Sequence, residues 1–417
     1  GDEETGAPML AGESPADGNV DIGFNPVLSV SITDPEGAPM DVFFRTNASG
    51  SWTTLGNNLS VNDGMYEQSG VGMDVYLTTY YWSVNCTDGV FWTNETYQFT
   101  TVAGPGLWWN TDWSFRKELV IDHALVGDTL VDFPLLVEFV GDGDLSGGAQ
   151  SDFDDVVFTD YDGNVLDHEI EVFNSDTGNL TAWVRVPVLS GVVNTSLYVY
   201  YGNPSCDSME NPSGVWSSSY RGVWHVHDDF GDSTGFGNDG TNHGSIDAVG
   251  VIGDGQSFGG DDYVTAGDHC LGAGNSWTAS CWFRSDSTSS QEFHYLLSTA
   301  NYNADNAVNI WQSISDSPSG EMRTQLLDSA GSEIELLNYG GGLYNDDNWH
   351  LVHVTWDNTS HQLSLYVDGS LETQDSNTYV DTGNGSTNAL HIGSRTDYNV
   401  DRFHIGDMDE VRISNPV

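Results

Sequence analysis

The side chains best suited to chemistry in this chain are aromatic rings and carboxylates rather than nucleophiles. Tyr302, Trp311, Tyr339, Tyr344 and Tyr398 fall in or beside stretches rich in Gly, Asn and Asp. Exposed rings in such loops stack on sugar faces while amides and carboxylates reach the hydroxyls, which makes these five the ligand-binding candidates. The competing reading of each is a place in a packed core. His225 and His227 alternate onto one face beside Asp228 and Asp229, a spacing that could hold zinc, although packed, hydrogen-bonded histidines are the preferred reading. The run Asp160-Tyr161-Asp162-Gly163-Asn164 is superficially like a calcium-binding EF-hand loop. Its third carboxylate and its bidentate Glu are misplaced, so a hairpin turn is expected there. No Ser/His/Asp order, phosphate loop or HExxH helix occurs, and no catalytic residue is assigned.

The elements that must position these residues are strands. The stretch from Asn348 to Thr373 holds two alternating runs, with Val352, Val354 and Trp356 on one face of the first and Leu363, Leu365 and Val367 on one face of the second. The polar segment Asp357 to His361 between them predicts a β-hairpin. Asp368-Gly369 supplies a second tight turn, because glycine tolerates positive φ. With 48 glycines and few segments of helical period, short strands and many turns account for the whole chain. No repeat of about 20 to 50 residues is visible, which excludes a solenoid or propeller.

Taken in order, residues 1–15 are polar and without pattern and are expected to be a leader or linker. Strand-like runs follow at 26–34, 40–45, 79–85 and 97–101, and residues 16–104 are expected to form a small sandwich. The run TTYYWSVNCTDG followed by YQFTT resembles fibronectin type III and immunoglobulin-like modules, which usually act as spacers. Ala103-Gly104-Pro105-Gly106 is a plausible linker. Residues 105–215 carry Trp108-Trp109, Trp113-Ser114-Phe115-Arg116-Lys117, Trp183-Val184-Arg185-Val186-Pro187 and Leu197-Tyr198-Val199-Tyr200-Tyr201-Gly202-Asn203-Pro204. In that order they resemble an uncharacterised β-domain that stands before laminin-G-like domains in prokaryotic surface proteins.

Residues 216–417 resemble the laminin-G-like, concanavalin A-type jelly rolls. The resemblance is carried by Ser257-Phe258-Gly259-Gly260-Asp261-Asp262-Tyr263-Val264, Trp277-Thr278-Ala279-Ser280-Cys281-Trp282, Trp349-His350 with Tyr366-Val367-Asp368-Gly369, and Gly406-Asp407-Met408-Asp409-Glu410-Val411-Arg412-Ile413. It implies an all-β chain of three serial sandwich or jelly-roll domains. It also implies a structural calcium at one rim, held by Asp232, Asp261, Asp262, Asp407 and Asp409, since hard cations take oxygen ligands from such loops. In so acidic a chain, chance clustering of aspartates is the competing reading. Retaining glycosidases occur on this fold and need two carboxylates about 5 Å apart. Neither Glu333-Ile334-Glu335 nor Asp407-Met408-Asp409-Glu410 has their spaced acid triplet.

Four cysteines, Cys86, Cys206, Cys270 and Cys281, allow three pairings. Cys270 and Cys281 share a domain and flank a turn, so they are the expected disulfide; Cys86 and Cys206 read as small buried hydrophobes. Eight N-x-S/T sequons occur, where about six would arise by chance in a chain this rich in Asn, Ser and Thr. Loop positions favour Asn47, Asn358 and Asn384 as glycosylation sites.

The formal net charge is −52, with 62 acidic residues against 10 basic ones and Lys117 as the single lysine. Such a surface repels nucleic acid and anionic lipid. It suits a protein kept soluble in high salt, where counterions screen self-repulsion; an acidic secreted protein from a low-salt source is the alternative. The 12% aromatic and 38% hydrophobic content argues for a folded chain. No run of about 18 apolar residues predicts a membrane-spanning helix. The start at Gly1 fits a processed form, and the end at Pro416-Val417 suggests a piece of something longer. The expected function is non-catalytic, extracellular or cell-surface adhesion or glycan recognition in a halophilic microbe, with glycans or surface proteins as partners. The alternative is a self-assembling subunit of a surface filament or coat, and a glycoside hydrolase ranks third. A halophilic surface is expected to lose its folded state as molar salt is dialysed away, followed by circular dichroism. Retention of structure in dilute buffer would defeat that reading.

Overall fold

A computed structural model of the chain describes residues 6–76, 78–102, 108–227, 229–267, 271, 274–285, 292–300, 307–314, 320–330, 332–337, 342–378, 389–396 and 402–415. The fold is all-β, with a few short helical turns. It comprises two compact units, residues 1–111 with 159–164, and residues 112–158 with 165–417. Among the described residues, no helix is long and apolar enough to cross a membrane, a statement that does not extend to strands.

In the first unit, Val27–Thr33 lies between Met9–Ser14 and Gly64–Ser69. A second sheet runs in the order Asn19–Ile22, Trp92–Thr101, Thr79–Thr87, Met40–Thr46 and Thr53–Val61. Leu28, Val30 and Ile32 on the first sheet and Met40, Val42 and Phe44 on the second occupy alternate positions, so period-two patterning buries them all in one core with Trp82 and Phe99. Cys86 sits in that core as a free thiol, pushed up to about 11 by burial, with the Asp88 charge adding to the shift. The leader expected at 1–15 gives way from Met9 to Ser14 to an edge strand paired with Val27–Thr33. Main-chain pairing at an edge does not require an apolar alternation, which is why the sequence shows none there.

The second unit begins with two small sheets. Asn179–Leu189 lies between Leu130–Phe139 and His168–Asn174, and Thr195–Tyr201 pairs with Phe115–Ile121. Their shared core is built on Leu145, Ile170, Ala182, Val184, Leu197 and Val199. A larger pair of sheets follows. One is ordered Ile246–Val249, Asp254–Gly259, Ile405–Ser414, Trp277–Ser285, His350–Asp357, Gln362–Val367 and Ser370–Ser376, with Tyr220–Trp224 also paired to Ile405–Ser414. The other is ordered Thr241–His243, Tyr263–Ala266, Leu390–Ile392, Phe293–Ser298, Val308–Ser313, Glu321–Leu327 and Glu333–Leu337. Between them lie Trp277, Phe283, Trp356 and Leu365 from the first sheet against Leu297, Ile310, Met322 and Leu336 from the second. The residues expected as separate second and third domains therefore share one compact unit.

The hairpin read from the sequence forms as expected. Val354 faces Leu365 and Val352 faces Val367 across the pair, and Asp368 and Gly369 both adopt positive φ at the following turn. His350 pins this turn: Nδ1 bonds Asp368 at 2.8 Å, Nε2 bonds Asp346 at 3.0 Å, and the Leu351 N–H donates to Asp368 at 2.9 Å. Burial alone lowers the imidazole pKa, but the two carboxylates outweigh it and the net shift is upward. Asp346 is held down to about 2, first by the Asn348 amide and then by His350.

The seven-stranded sheet carries a polar ladder on the face opposite its core. Ser298 Oγ donates to Asn309 Oδ1 at 2.7 Å, Asn309 Nδ2 to Gln325 Oε1 at 2.9 Å, and Gln325 Nε2 to Glu333 Oε1 at 2.6 Å. Ser298, Asn309 and Gln325 are completely buried. Buried amides on a sheet face are costly unless paired, and here each pairs with the next strand.

Two outcomes are expected. A raised histidine stabilises the fold fully below its ordinary value of 6.5 and loses that contribution as pH rises through the raised value, whereas a depressed Asp346 contributes above 3.8 and loses it as pH falls toward 2. The melting-temperature gap between wild type and His350→Gln should therefore be widest between about pH 4 and 6 and shrink as pH rises through the raised imidazole value; a gap independent of pH would leave packing as its cause. Asn309→Ala should lower stability by about 1–3 kcal/mol, because it leaves Gln325 Oε1 buried and unpaired. An unchanged urea midpoint would show that water satisfies the ladder.

Candidate functional site

Tyr295, Trp311 and Arg323 are cross-strand partners on Phe293–Ser298, Val308–Ser313 and Glu321–Leu327. Trp311 is two residues from Asn309 and Arg323 two from Gln325, so the row projects from the same face as the amide ladder. Glu335 joins this face from Glu333–Leu337. Arg395 and Arg402 arrive from the segment after Leu390–Ile392, tied together by the Arg395 N–H to Arg402 carbonyl bond at 3.0 Å and by the bridge between Ser394 and Phe403. With Phe293 they line a cleft of about 170 Å3.

The rings of Tyr295 and Trp311 stack at 5.5 Å with 10° between planes. Arg395 lies 5.5 Å from the centre of the Tyr295 ring and Arg402 4.4 Å from that of Phe293. Arg402 Nη1 is 3.4 Å from Glu292, and Arg323 Nη2 is 3.5 Å from Glu321. A guanidinium held by its face over a ring presents a planar fork of N–H donors at its edge. The part-exposed ring of Phe293 beside such forks suits a polyhydroxylated ligand, with Tyr295 and Trp311 packed into the wall. The volume is below the roughly 300–1,000 Å3 of drug-sized pockets, so the cleft takes one small unit of a larger molecule.

Of the aromatics expected to bind ligand, Trp311 borders this cleft but is only 2% exposed. Tyr344 instead packs in the core, with its ring 5.0 Å from that of His350. Burial, and then Glu372, push its hydroxyl well above the ordinary phenol range. Tyr302, Tyr339 and Tyr398 lie outside the described residues. Sequence reasoning missed Phe293, Tyr295, Arg323, Glu335, Arg395 and Arg402. The available signal was that three of only ten basic residues fall between positions 323 and 402.

Four of the five aspartates expected at one calcium site have separate protein partners. Asp232 Oδ1 accepts the N–H groups of Val223 and Thr234, and its Oδ2 accepts that of Asn238. Asp262 closes a turn by accepting the Gly259 N–H at 2.6 Å, while Asp261 is exposed. Asp407 pairs with Arg284, whose Nε lies at 2.9 Å. Asp409 is fully buried and accepts the N–H groups of Val251 and Ile252 at 2.7 and 2.9 Å. Asp160 closes its loop as a turn, accepting from the N–H groups of Asp162 and Asn164.

Cys281 is a free, fully buried thiol rather than half of the expected bridge; its partner Cys270 lies outside the described residues. Of the glycosylation candidates, Asn47 sits in a turn and its Oδ1 accepts the Tyr81 N–H. Asn358 Nδ2, the atom a glycan would occupy, donates to the Gly274 carbonyl at 3.1 Å. Asn384 lies outside the described residues.

Among the described residues, one group of three metal-type side chains has ligand atoms within 4.8 Å of one another: Glu171, His225 and Glu410. His225 follows Tyr220–Trp224, Glu171 lies on His168–Asn174, and Glu410 on Ile405–Ser414. A bulge delivers Glu410. Its φ is +51° and the register slips by one residue there, so Glu410 leaves the core face that holds Met408 and Val411. His225 Nδ1 is 2.6 Å from Glu410 and 3.5 Å from Glu171, and its Nε2 is 3.4 Å from Glu169. Trp216 donates to Glu169 and Trp183 to Glu171, both at 2.9 Å. Arg412 bonds Glu410 and lies over both indoles, 4.3 Å from Trp183 and 5.0 Å from Trp216.

Charge sets the protonation of this group. Burial by itself lowers the His225 pKa, yet Glu410 and Glu169 hold it well above its ordinary value. Glu410 is held low by His225 and Arg412 against the upward push of burial. Glu171 is pushed up by burial, and the Glu410 charge adds to the rise. Asp409 rises to about 7 for the same two reasons.

Comparison with known proteins bears on both halves of the second unit. Residues 258–417 match the model of the concanavalin A-like lectin/glucanases superfamily, laminin G type. Residues 152–238 match a domain of unknown function, DUF2341. A search of curated proteins gave no match. Among solved structures, domain 4 of AbnA, an extracellular arabinanase from Geobacillus stearothermophilus in complex with arabinotriose, is similar at 17% identity and TM-score 0.36, over 47% of this chain and 92% of that one. The carbohydrate-binding module CBM40 of a Ruminococcus gnavus sialidase is similar at 14% identity and TM-score 0.28, over 35% of this chain and 78% of that one. The binding domain of botulinum neurotoxin serotype D is similar at 14% identity and TM-score 0.37, with 49% of each chain covered. The chain thus contains a laminin-G-like, concanavalin A-like domain over residues 258–417, preceded by a DUF2341 domain over residues 152–238.

Proposed function

We propose that the chain is a non-catalytic extracellular or cell-surface protein that recognises glycans through the cleft on its laminin-G-like domain, in adhesion to a glycan-bearing surface. The observation that carries this reading is the row of Tyr295, Trp311 and Arg323 across three strands, flanked by Arg395 and Arg402. The part-exposed Phe293 ring supplies apolar surface for a sugar and guanidinium edges supply donors for hydroxyl or carboxylate oxygens, while Tyr295 and Trp311, each 2% exposed, form the packed wall of the cleft. The buried amide ladder beside the row on the same face fixes its geometry, which lowers the entropy lost on binding. Membership of residues 258–417 in a lectin/glucanase superfamily gives the same direction by analogy of fold.

The non-catalytic part of the reading rests on the lining. A retaining glycosidase needs two carboxylates about 5 Å apart across the scissile bond. Glu335 is the carboxylate lining this cleft among the described residues, set against three arginines. The first unit, which resembles a fibronectin type III or immunoglobulin-like module, serves in this reading as a spacer.

Screening the intact chain on a glycan array in high salt, then titrating the best ligand calorimetrically, tests the proposal. Phe293→Ala and Arg402→Gln are each expected to weaken binding tenfold or more, about 1.4 kcal/mol, with little change in melting temperature. Binding unaffected by both would move the site off this face, and the absence of any glycan ligand would overturn the reading.

A further inference from the structure

The group around His225 is rich in carboxyl groups for a buried site. Glu169, Glu171, Asp409 and Glu410 are buried together, and the cations bonded to them are His225 and Arg412. Four carboxyl groups thus face two basic ones, so a divalent cation can take the place of protons held among them. Two of its oxygens, Glu171 Oε1 and Asp409 Oδ1, are buried without a hydrogen-bond partner, and the Glu171 side chain is 2% exposed. Buried anionic oxygens are normally paired, and an ion is one of the few things that satisfies them. Gly253 keeps the space beside Glu171 open, since a β-carbon there would sit 2.5 Å from Oε1.

We propose that Glu171, His225 and Glu410 bind one divalent cation of the borderline class, such as Zn2+ or Mn2+. One imidazole nitrogen and two carboxylates form a donor set typical of that class, whereas calcium takes six to eight oxygens and no nitrogen. Ligand atoms around tetrahedral zinc stand about 3.3 Å apart, given bonds of about 2.0–2.1 Å. The 3.5 Å from His225 Nδ1 to Glu171 Oε2, the oxygen that also accepts from Trp183, fits that spacing, and the unpartnered Oε1 belongs to the same carboxylate. The 2.6 Å from the same nitrogen to Glu410 is the length of a shared proton, and it widens when the metal takes the proton's place and the proton leaves to solvent. Trp183 and Trp216 orient Glu171 and the neighbouring Glu169 through their indole N–H groups, as supporting partners orient ligands in metal sites.

A route to the site exists. Glu169, Glu171 and His225 border a pocket of about 460 Å3 whose other walls include His227, Asp229 and Asp232. An acidic vestibule of this kind concentrates divalent cations at its floor. Because Glu171 and His225 lie within the DUF2341 match and Glu410 within the laminin-G-like one, the ion would join the two parts of the unit.

The test uses the full chain, stripped with chelator and titrated with Zn2+ at fixed high salt. Calorimetry is expected to show one tight site, and the melting temperature to rise by several degrees, because a ligand specific for the folded state stabilises it by mass action. Co2+ in place of Zn2+ should show the visible absorption of a low-coordinate site in the same stoichiometry. Glu171→Gln keeps an acceptor for Trp183 and removes the charge, so it should melt at or above the stripped wild type while losing tenfold or more in Zn2+ affinity. Absence of a tight site in the wild type, or tight binding that survives Glu171→Gln undiminished, would overturn the proposal and leave the cluster as a proton-bridged ion network only.

Discussion

The second unit depends on how it disposes of charge that it buries. Ile405–Ser414 is the strand on which this falls. It is paired along one edge to Asp254–Gly259 and Tyr220–Trp224 and along the other to Trp277–Ser285, so it closes the eight-stranded sheet. Its core face carries Met408, Val411 and Ile413. Its other side carries Asp407, Asp409, Glu410 and Arg412, a density of ions that a buried strand tolerates only when each is answered. Arg284 answers Asp407, two backbone N–H groups answer one oxygen of Asp409, and His225 with Arg412 answers Glu410.

A buried ion network of this kind is weak evidence for stability, because desolvation offsets most of the attraction. Its better attested use is to fix register, and the arrangement here fits that use. Glu410 reaches His225 only because the bulge at its own position turns it off the core face, and Arg412 reaches Glu410 while lying between Trp183 and Trp216. A slip of one residue in Ile405–Ser414 would send the carboxylate into the core. The docking of the smaller sheets and the closure of the larger one are thus read from the same four side chains.

The opposite sheet solves a different problem. In a chain with 62 acidic and 10 basic residues, three arginines converge on one cleft. The amide ladder of Ser298, Asn309, Gln325 and Glu333 leaves that face polar yet closed to free rearrangement. Rings and guanidiniums above it are therefore held by strands and by stacking rather than by loop conformation, which is the condition for a preorganised binding surface.

What the sequence determined by itself follows from local periodicity. Alternation of period two marked the hairpin through Val352, Val354, Trp356, Leu363, Leu365 and Val367, and Asp368-Gly369 marked its turn, because both signals act between residues a few positions apart. The all-β class and the laminin-G-like motifs were legible for the same reason. Other features depended on partners distant in the chain. Trp311 and Tyr344 look alike in sequence and both are buried, yet one borders the cleft and the other packs in the core, since the surroundings depend on which strand lies across from each. Met9–Ser14 gave no pattern because its hold is main-chain pairing with Val27–Thr33. The side chains around His225 were scattered beyond recognition, with 185 positions between His225 and Glu410. Tertiary structure decided that site, because bringing such distant groups together requires the sheet pairing and the bulge that no local sequence signal encodes.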